Sequence, residues 1–130
     1  MRYAHSMIIV HGTFPVKEAL REDALKLMHR MAVASRAEVG CISYEFYVAL
    51  SDPNSLLLFQ EWESVDALQG HFDTVHMEEF LKELPDVLDG EVTTRRYEVR
   101  SSSEMAEEHE RGEAEPEYTT RYQSREKIIH

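Results

Sequence analysis

The sequence predicts an α+β fold of order β-α-β-β-α-β, the ferredoxin-like split unit. It is expected to have one antiparallel four-stranded sheet with two helices on one face. Three observations carry this. An apolar, β-branched run at residues 7–14 leads into a segment of helical periodicity. Two strand-like segments, 41–50 and 55–62, flank the turn-forming run Ser51-Asp52-Pro53-Asn54. A second helical region then gives way to the β-branched, polar-rich segment 91–99.

Strand one (MIIVHGTF) is bounded by Pro15, which suits the first turn of a helix or the turn before it. From Val16 to Ala37 the apolar positions Val16, Leu20, Ala24, Leu27, Met28 and Met31 follow a helical period, with charges on the outer face. Gly40 ends the loop that follows. In the next segment Ile42, Tyr44, Phe46, Val48 and Leu50 alternate with Cys41, Ser43 and Glu45, which predicts the first set on one face. Strand 55–62 is apolar in both phases and is expected to be covered on both sides.

Ser64 is a good N-cap, and Asp66 suits the positive end of the helix dipole. The helical region runs from Val65 to about Leu84, where Pro85 is expected to end it. Asp73 and Thr74 both favour caps and mark a place where it can break. Two helices cover one face of a sheet, so Ile42, Phe46 and Leu57 cannot all be buried by them. A second subunit over the uncovered face is the expected solution.

At 130 residues the chain predicts one domain. Hydrophobic residues at 42% and aromatics at 9% are ordinary globular values. The single cysteine, Cys41, excludes an internal disulfide framework and suits a reducing, cytoplasmic setting. The longest strictly apolar runs, such as 7–10 and 56–59, are too short to span a bilayer, and the N-terminus has no signal-peptide pattern. A formal charge of −11 repels nucleic acid and anionic membranes and is indifferent to a neutral aromatic molecule. Residues 1–100 read as the folded domain. Residues 101–130 carry eight acidic and four basic residues and few aliphatics. That extension is expected to be disordered, or to clasp the partner subunit through Tyr118, Tyr122, Ile128 and Ile129.

Chemistry-bearing residues cluster between Gly40 and Phe80. Trp62 ends a strand and reads either as a flat pocket wall or as a large core aromatic. His71 and His76 lie on the following helical region. Five residues apart, they diverge by about 140° on an unbroken helix, against the i, i+4 spacing a metal pair needs. A break at Thr74 would be needed to realign them, which is an added assumption. No metal site is expected, and each histidine reads as a packing residue or a substrate contact. His11, on strand one, faces either a cavity or the core. Cys41 reads as a small buried hydrophobe. Glu61 and Glu63 read as solvated or capping. Five glycines form neither a G-x-G-x-x-G nor a P-loop pattern, and one cysteine cannot hold an iron–sulfur cluster, so no cofactor is expected.

A strand ending Glu61-Trp62-Glu63-Ser64, followed by Ala67, Leu68, His71, Thr74, His76 and Phe80, resembles the antibiotic biosynthesis monooxygenase (ABM) domain. That domain is a branch of the dimeric α+β barrel superfamily. Gly40, Cys41 and Tyr44 fit its second strand, and the resemblance covers roughly residues 6 to 100. In the haem-degrading branch the position of His71 is Trp, the haem-ligating His falls at Leu81 and a pocket Asn at about His11, which counts against haem chemistry. In the polyketide-oxidising branch a pocket Asn falls at Leu58, a Tyr at Leu68 and an Arg near Lys82, so only Trp62 and a positive charge are kept.

The resemblance implies a homodimer and a cofactor-independent, quinol-monooxygenase-like oxidoreductase acting with dioxygen on a quinol or polyketide-like phenol. Trp62, His71 and His76 are the expected catalytic residues. His11, Tyr44, Leu58, Leu68, Phe72 and Lys82 are the expected substrate contacts. Two other readings stand beside it. One is a non-catalytic dimeric small-molecule binder or stress-related protein. The other is an isomerase or cyclase of a small carbonyl compound.

Overall fold

A computed structural model describes residues 6–100 and 120–126. Strand β1 spans Ser6–Pro15, helix α1 Arg21–Arg36, strand β2 Cys41–Ala49 and strand β3 Asp52–Trp62. Helices α2 (Val65–Phe72) and α3 (Val75–Val87) follow, then strands β4 (Thr93–Arg100) and β5 (Thr120–Glu126). Among the described residues the sheet is antiparallel in the order β2-β3-β1-β4-β5. The first four strands and the helices make the expected ferredoxin-like α+β unit. β5 is an addition: part of the C-terminal extension pairs with β4 of its own chain, with Tyr97 opposite Tyr122. Tyr118, Ile128 and Ile129 lie outside the described residues.

The period-two geometry of β1 and β3 sorts side chains to two faces. Ile8, Val10 and Phe14 of β1 and Leu56, Leu58, Gln60 and Trp62 of β3 point under the helices and are buried. The helices add Ala24, Leu27, Met28, Met31, Leu68, Met77, Phe80 and Leu84 to the same core. Ile9, His11, Leu57 and Phe59 sit in the opposite phase, on a face without helices. Only one phase of β3 is therefore fully covered within the chain.

Several boundaries depart from the sequence reading. Val16 does not start a helix. It is buried in a bridge to Leu88, its N–H bonds to Asn54 O and that of Lys17 to Val87 O, so these backbone groups extend the sheet first. The hairpin turn is Leu50-Ser51, and Asp52 to Asn54 already belong to β3. A bulge between Cys41 and Ser43 shifts the phase of β2: Cys41 pairs with Trp62 and packs on the core, while Ile42 turns outward. Val48 and Leu50 are exposed at the sheet edge, so only Tyr44 and Phe46 of the predicted face reach the core. Pro85 lies inside α3, which runs on to Val87. Pro85 lacks an N–H only in the last turn, where little helix remains to be broken.

The break at Asp73-Thr74 is real. The Thr74 hydroxyl donates to His71 O at 2.8 Å and accepts from Met77 N–H at 3.2 Å. One side chain thus ends α2 and caps α3. Ser64 caps α2 in the same way, accepting from Ala67 N–H at 3.0 Å.

Candidate functional site

The site forms where the loop after α1, the α2–α3 break and the covered face of the sheet meet. Because the helix breaks, His71 and His76 do not diverge. Both rings turn toward Glu38, in the loop between α1 and β2. Glu38 Oε2 lies 2.7 Å from His71 Nδ1 and 2.5 Å from His76 Nε2. An ionised carboxylate can only accept, so each of these ring nitrogens carries the proton it donates. Exposure rises along the chain, from 1% for His71 through 13% for Glu38 to 27% for His76.

Gly40 places the loop. Its φ of +90° lies in the left-handed region, and a Cβ there would come within 2.5 Å of Ala67 Cβ on α2. Gly40 O also accepts from Glu63 N–H at 2.9 Å. The loop is thus pressed against α2 one turn before His71, which brings Glu38 to the ring.

His71 packs among aromatics, with ring centroids 4.7 Å from Trp62 and 5.4 Å from Tyr44. Burial lowers its proton affinity, and Glu38 partly restores it. Burial likewise raises the Tyr44 phenol well above its ordinary value, so it stays protonated. With Nδ1 engaged, Nε2 is the nitrogen left to act on a ligand. His71 lines a cavity of about 30 Å³ between sheet and helices. Its apolar walls include Leu58, Phe72 and Phe80. Its polar wall is made by Tyr44, Gln60, Thr94 and Arg96.

The donor atoms of Glu38, His71 and His76 lie within 4.8 Å of one another. Two of these separations are hydrogen-bond lengths, with the carboxylate oxygen between two N–H groups. A four-coordinate cation with bonds of about 2.0 Å needs donors about 3.3 Å apart. The arrangement fits a hydrogen-bonded triad rather than a coordination sphere.

Of the residues expected at the site, His71, Tyr44, Leu58 and Phe72 line the cavity. The others do not. Trp62 is fully buried behind His71, and its indole N–H donates to Gln60 Oε1 at 2.7 Å. It supports the ring instead of walling the cavity. Leu68 is core. Lys82 is exposed on α3. His11 is in the wrong phase of β1: it stacks on Tyr97 on the open face. His76 does not line the cavity; it meets Glu38, and its ring centroid lies 6.0 Å from that of His71.

Four residues went unread in the sequence. Gln60 carried a signal, since it is the polar residue in the buried phase Leu56-Leu58-Gln60-Trp62. Thr94 and Arg96 sit in the phase of Gly12 and Val10 on β1, which only the pairing register reveals. Glu38 carried none, because nothing local joins it to residues 33 and 38 positions later.

Fold and site together define a ferredoxin-like α+β domain with a histidine-bearing cavity between sheet and helices. Residues 7–83 match the family described as antibiotic biosynthesis monooxygenase, and the chain belongs to that family. It is 33% identical over 102 residues to the uncharacterised protein sll1783 of Synechocystis sp. (strain ATCC 27184 / PCC 6803 / Kazusa), covering 78% of this chain and 69% of that one. It is 25% identical over 93 residues to "Putative monooxygenase YcnE" of Bacillus subtilis (strain 168), covering 72% and 98%. Rv0793 from Mycobacterium tuberculosis shares the fold with a TM-score of 0.66 at 26% identity, over 69% of this chain and 91% of that one. Among the described residues no helix is long and apolar enough to cross a membrane.

Proposed function

We propose that the chain is a cofactor-independent monooxygenase that oxidises a quinol or related electron-rich phenol with dioxygen. The observation that carries this reading is His71. It is buried, held by Glu38 through Nδ1 and set in the wall of the cavity. A neutral imidazole fixed in that tautomer offers Nε2 as a base. Removing the phenol proton leaves an anion that donates electrons to dioxygen without a protein-borne redox group. One oxygen atom enters the ring as a new C–O bond and the other leaves as water. The quinol supplies all four electrons and ends as a hydroxyquinone. In this reading Arg96, which lines the cavity, balances the phenolate charge.

A cavity of about 30 Å³ holds little more than one or two waters. An aromatic substrate must enter by displacing Phe72, which is partly exposed and lies beside the α2–α3 break. A second copy of the chain over the open face of the sheet is part of the same reading. That face offers Met7, Ile9, Leu57, Phe59 and Val99, and β5 widens it by one strand. Light scattering at micromolar protein should give twice the 15.1 kDa chain mass; a monomer mass would remove the dimer. Truncation after Arg100 should weaken that dimer and leave the fold.

An oxygen electrode with a panel of hydroquinones and polyphenols, and no added reductant, tests the chemistry. The wild type should consume oxygen faster as pH ionises the phenol. His71→Asn should lose about 10²- to 10⁴-fold in rate. The small cavity favours one other reading, a non-catalytic binder. Oxygen uptake no faster than the buffer control would favour that one instead, and faster uptake that is equal in the two proteins would remove His71 as the base.

A further inference from the structure

His71, Glu38 and His76 run from the cavity wall to the surface, and one carboxylate serves two imidazoles. A single negative charge balances one imidazolium well and two poorly. We propose that Glu38 supports one positive charge shared between the two rings, so that a proton taken from substrate by His71 is matched by one released to solvent from His76. The catalytic part of this inference rests on His71 being the base.

The proton count closes. In the proposed cycle His71 starts neutral and the shared charge starts on His76, beside the carboxylate. Substrate O–H breaks and a proton bonds to His71 Nε2. His76 then gives its Nδ1 proton to water and keeps the Nε2 proton that faces Glu38. The net change is one proton moved from substrate to solvent, and none has to cross the carboxylate.

His71 is buried, which opposes its charge, but it lies in the last turn of α2, where the helix dipole favours a cation. His76 is more exposed and lies in the first turn of α3. Among the described residues, the ionisable groups around His71 besides Glu38 are His76, the Tyr44 phenol and, across the cavity, Arg96. Cys41 lies near Tyr44. His76 shares a surface groove with Arg30, Glu79 and Glu83, of which Arg30 and Glu83 pair at 3.0 Å.

Trp62 provides a reporter that needs no substrate. It is the only tryptophan, and its ring centroid lies 4.7 Å from that of His71. An imidazolium quenches an adjacent indole, whereas neutral imidazole quenches it weakly. Emission of the whole protein should therefore fall with acid as His71 gains its proton. The two partners are expected to move that transition in opposite directions. Glu38→Gln removes the balancing charge and should shift it down by about one pH unit or more. His76→Gln removes the competing cation and should shift it up by a similar amount. The imidazole ¹⁵N shifts of labelled wild-type protein assign the transition to His71 and stand alone if a variant fails to fold: the two rings should titrate as a coupled pair. Shifts of one sign in both variants, unmoved transitions, or two independent ¹⁵N titrations would overturn charge sharing. This outcome is separate from the oxygen assay, whose failure would remove the oxygenase and leave the coupled pair standing.

Discussion

The two faces of the sheet each present a histidine, and they are built differently. On the covered side, His71 meets a carboxylate at 2.7 Å. On the open side, His11 stacks on Tyr97 with centroids 5.4 Å apart, and the charge acting on it is that of Arg95. Burial lowers the proton affinity of both rings. Glu38 opposes that effect at His71, and Arg95 adds to it at His11. Burial is the larger cause at both rings, and the two sites differ in the sign of the charge beside them.

The largest test of this contrast is packing. Trp62→Ala should cost about 3–5 kcal/mol, because it empties a fully enclosed indole site. Phe59→Ala, on the open face, should cost less than half as much to the fold of a single chain. Denaturant melts of the two variants decide it. An equal loss would mean that the open face is as well packed as the core.

Gly40→Ala comes next, at about 1–3 kcal/mol, from the left-handed backbone and the contact with Ala67. Adding Ala67→Gly should recover part of the loss, since it removes the contact and leaves the φ. If the double variant is no more stable than the single one, the close approach is not what fixes the loop.

The smallest effect is on pH dependence. Both histidines bind a proton less tightly folded than unfolded, so acid favours the unfolded chain. Stability is whole above the ordinary value of 6.5 and falls as pH drops through it, until the folded rings titrate as well. The melting temperature should therefore rise between about pH 5 and pH 7, and rise less steeply in His11→Gln. An unchanged slope in that variant would show that His11 keeps its ordinary affinity.

How far the sequence reached follows the range of the forces involved. Elements came from local pattern: the periodicity of α1, the Ser64 cap, and the strand runs. Their errors were local too, as at Val16, where long-range backbone pairing overrode a helical period. The site was harder. His71 and Thr74 stood out because they share one short segment. Glu38 and Arg96 reach the site by loop closure and strand register, which no window along the chain contains. Leu68 and Lys82, carried over from relatives' positions, fell on the core and on the surface respectively, because that carry-over fixes a place along a helix and leaves the direction of the side chain unfixed.

The Thr74 hydroxyl has a consequence for finding such sites elsewhere. Paired histidines are usually sought at spacings set by an unbroken helical repeat, and His71 and His76 fail that criterion. Their meeting depends on a capping hydroxyl between them, which resets the repeat at the third residue and lets the second ring start a new count. The informative pattern is thus His-x-x-Thr-x-His, in which a capping residue sets how the two rings on either side of it meet. In a designed protein, placing a serine or threonine cap between two helical ligands offers separations that a single helix forbids, at the expense of one turn of hydrogen bonds.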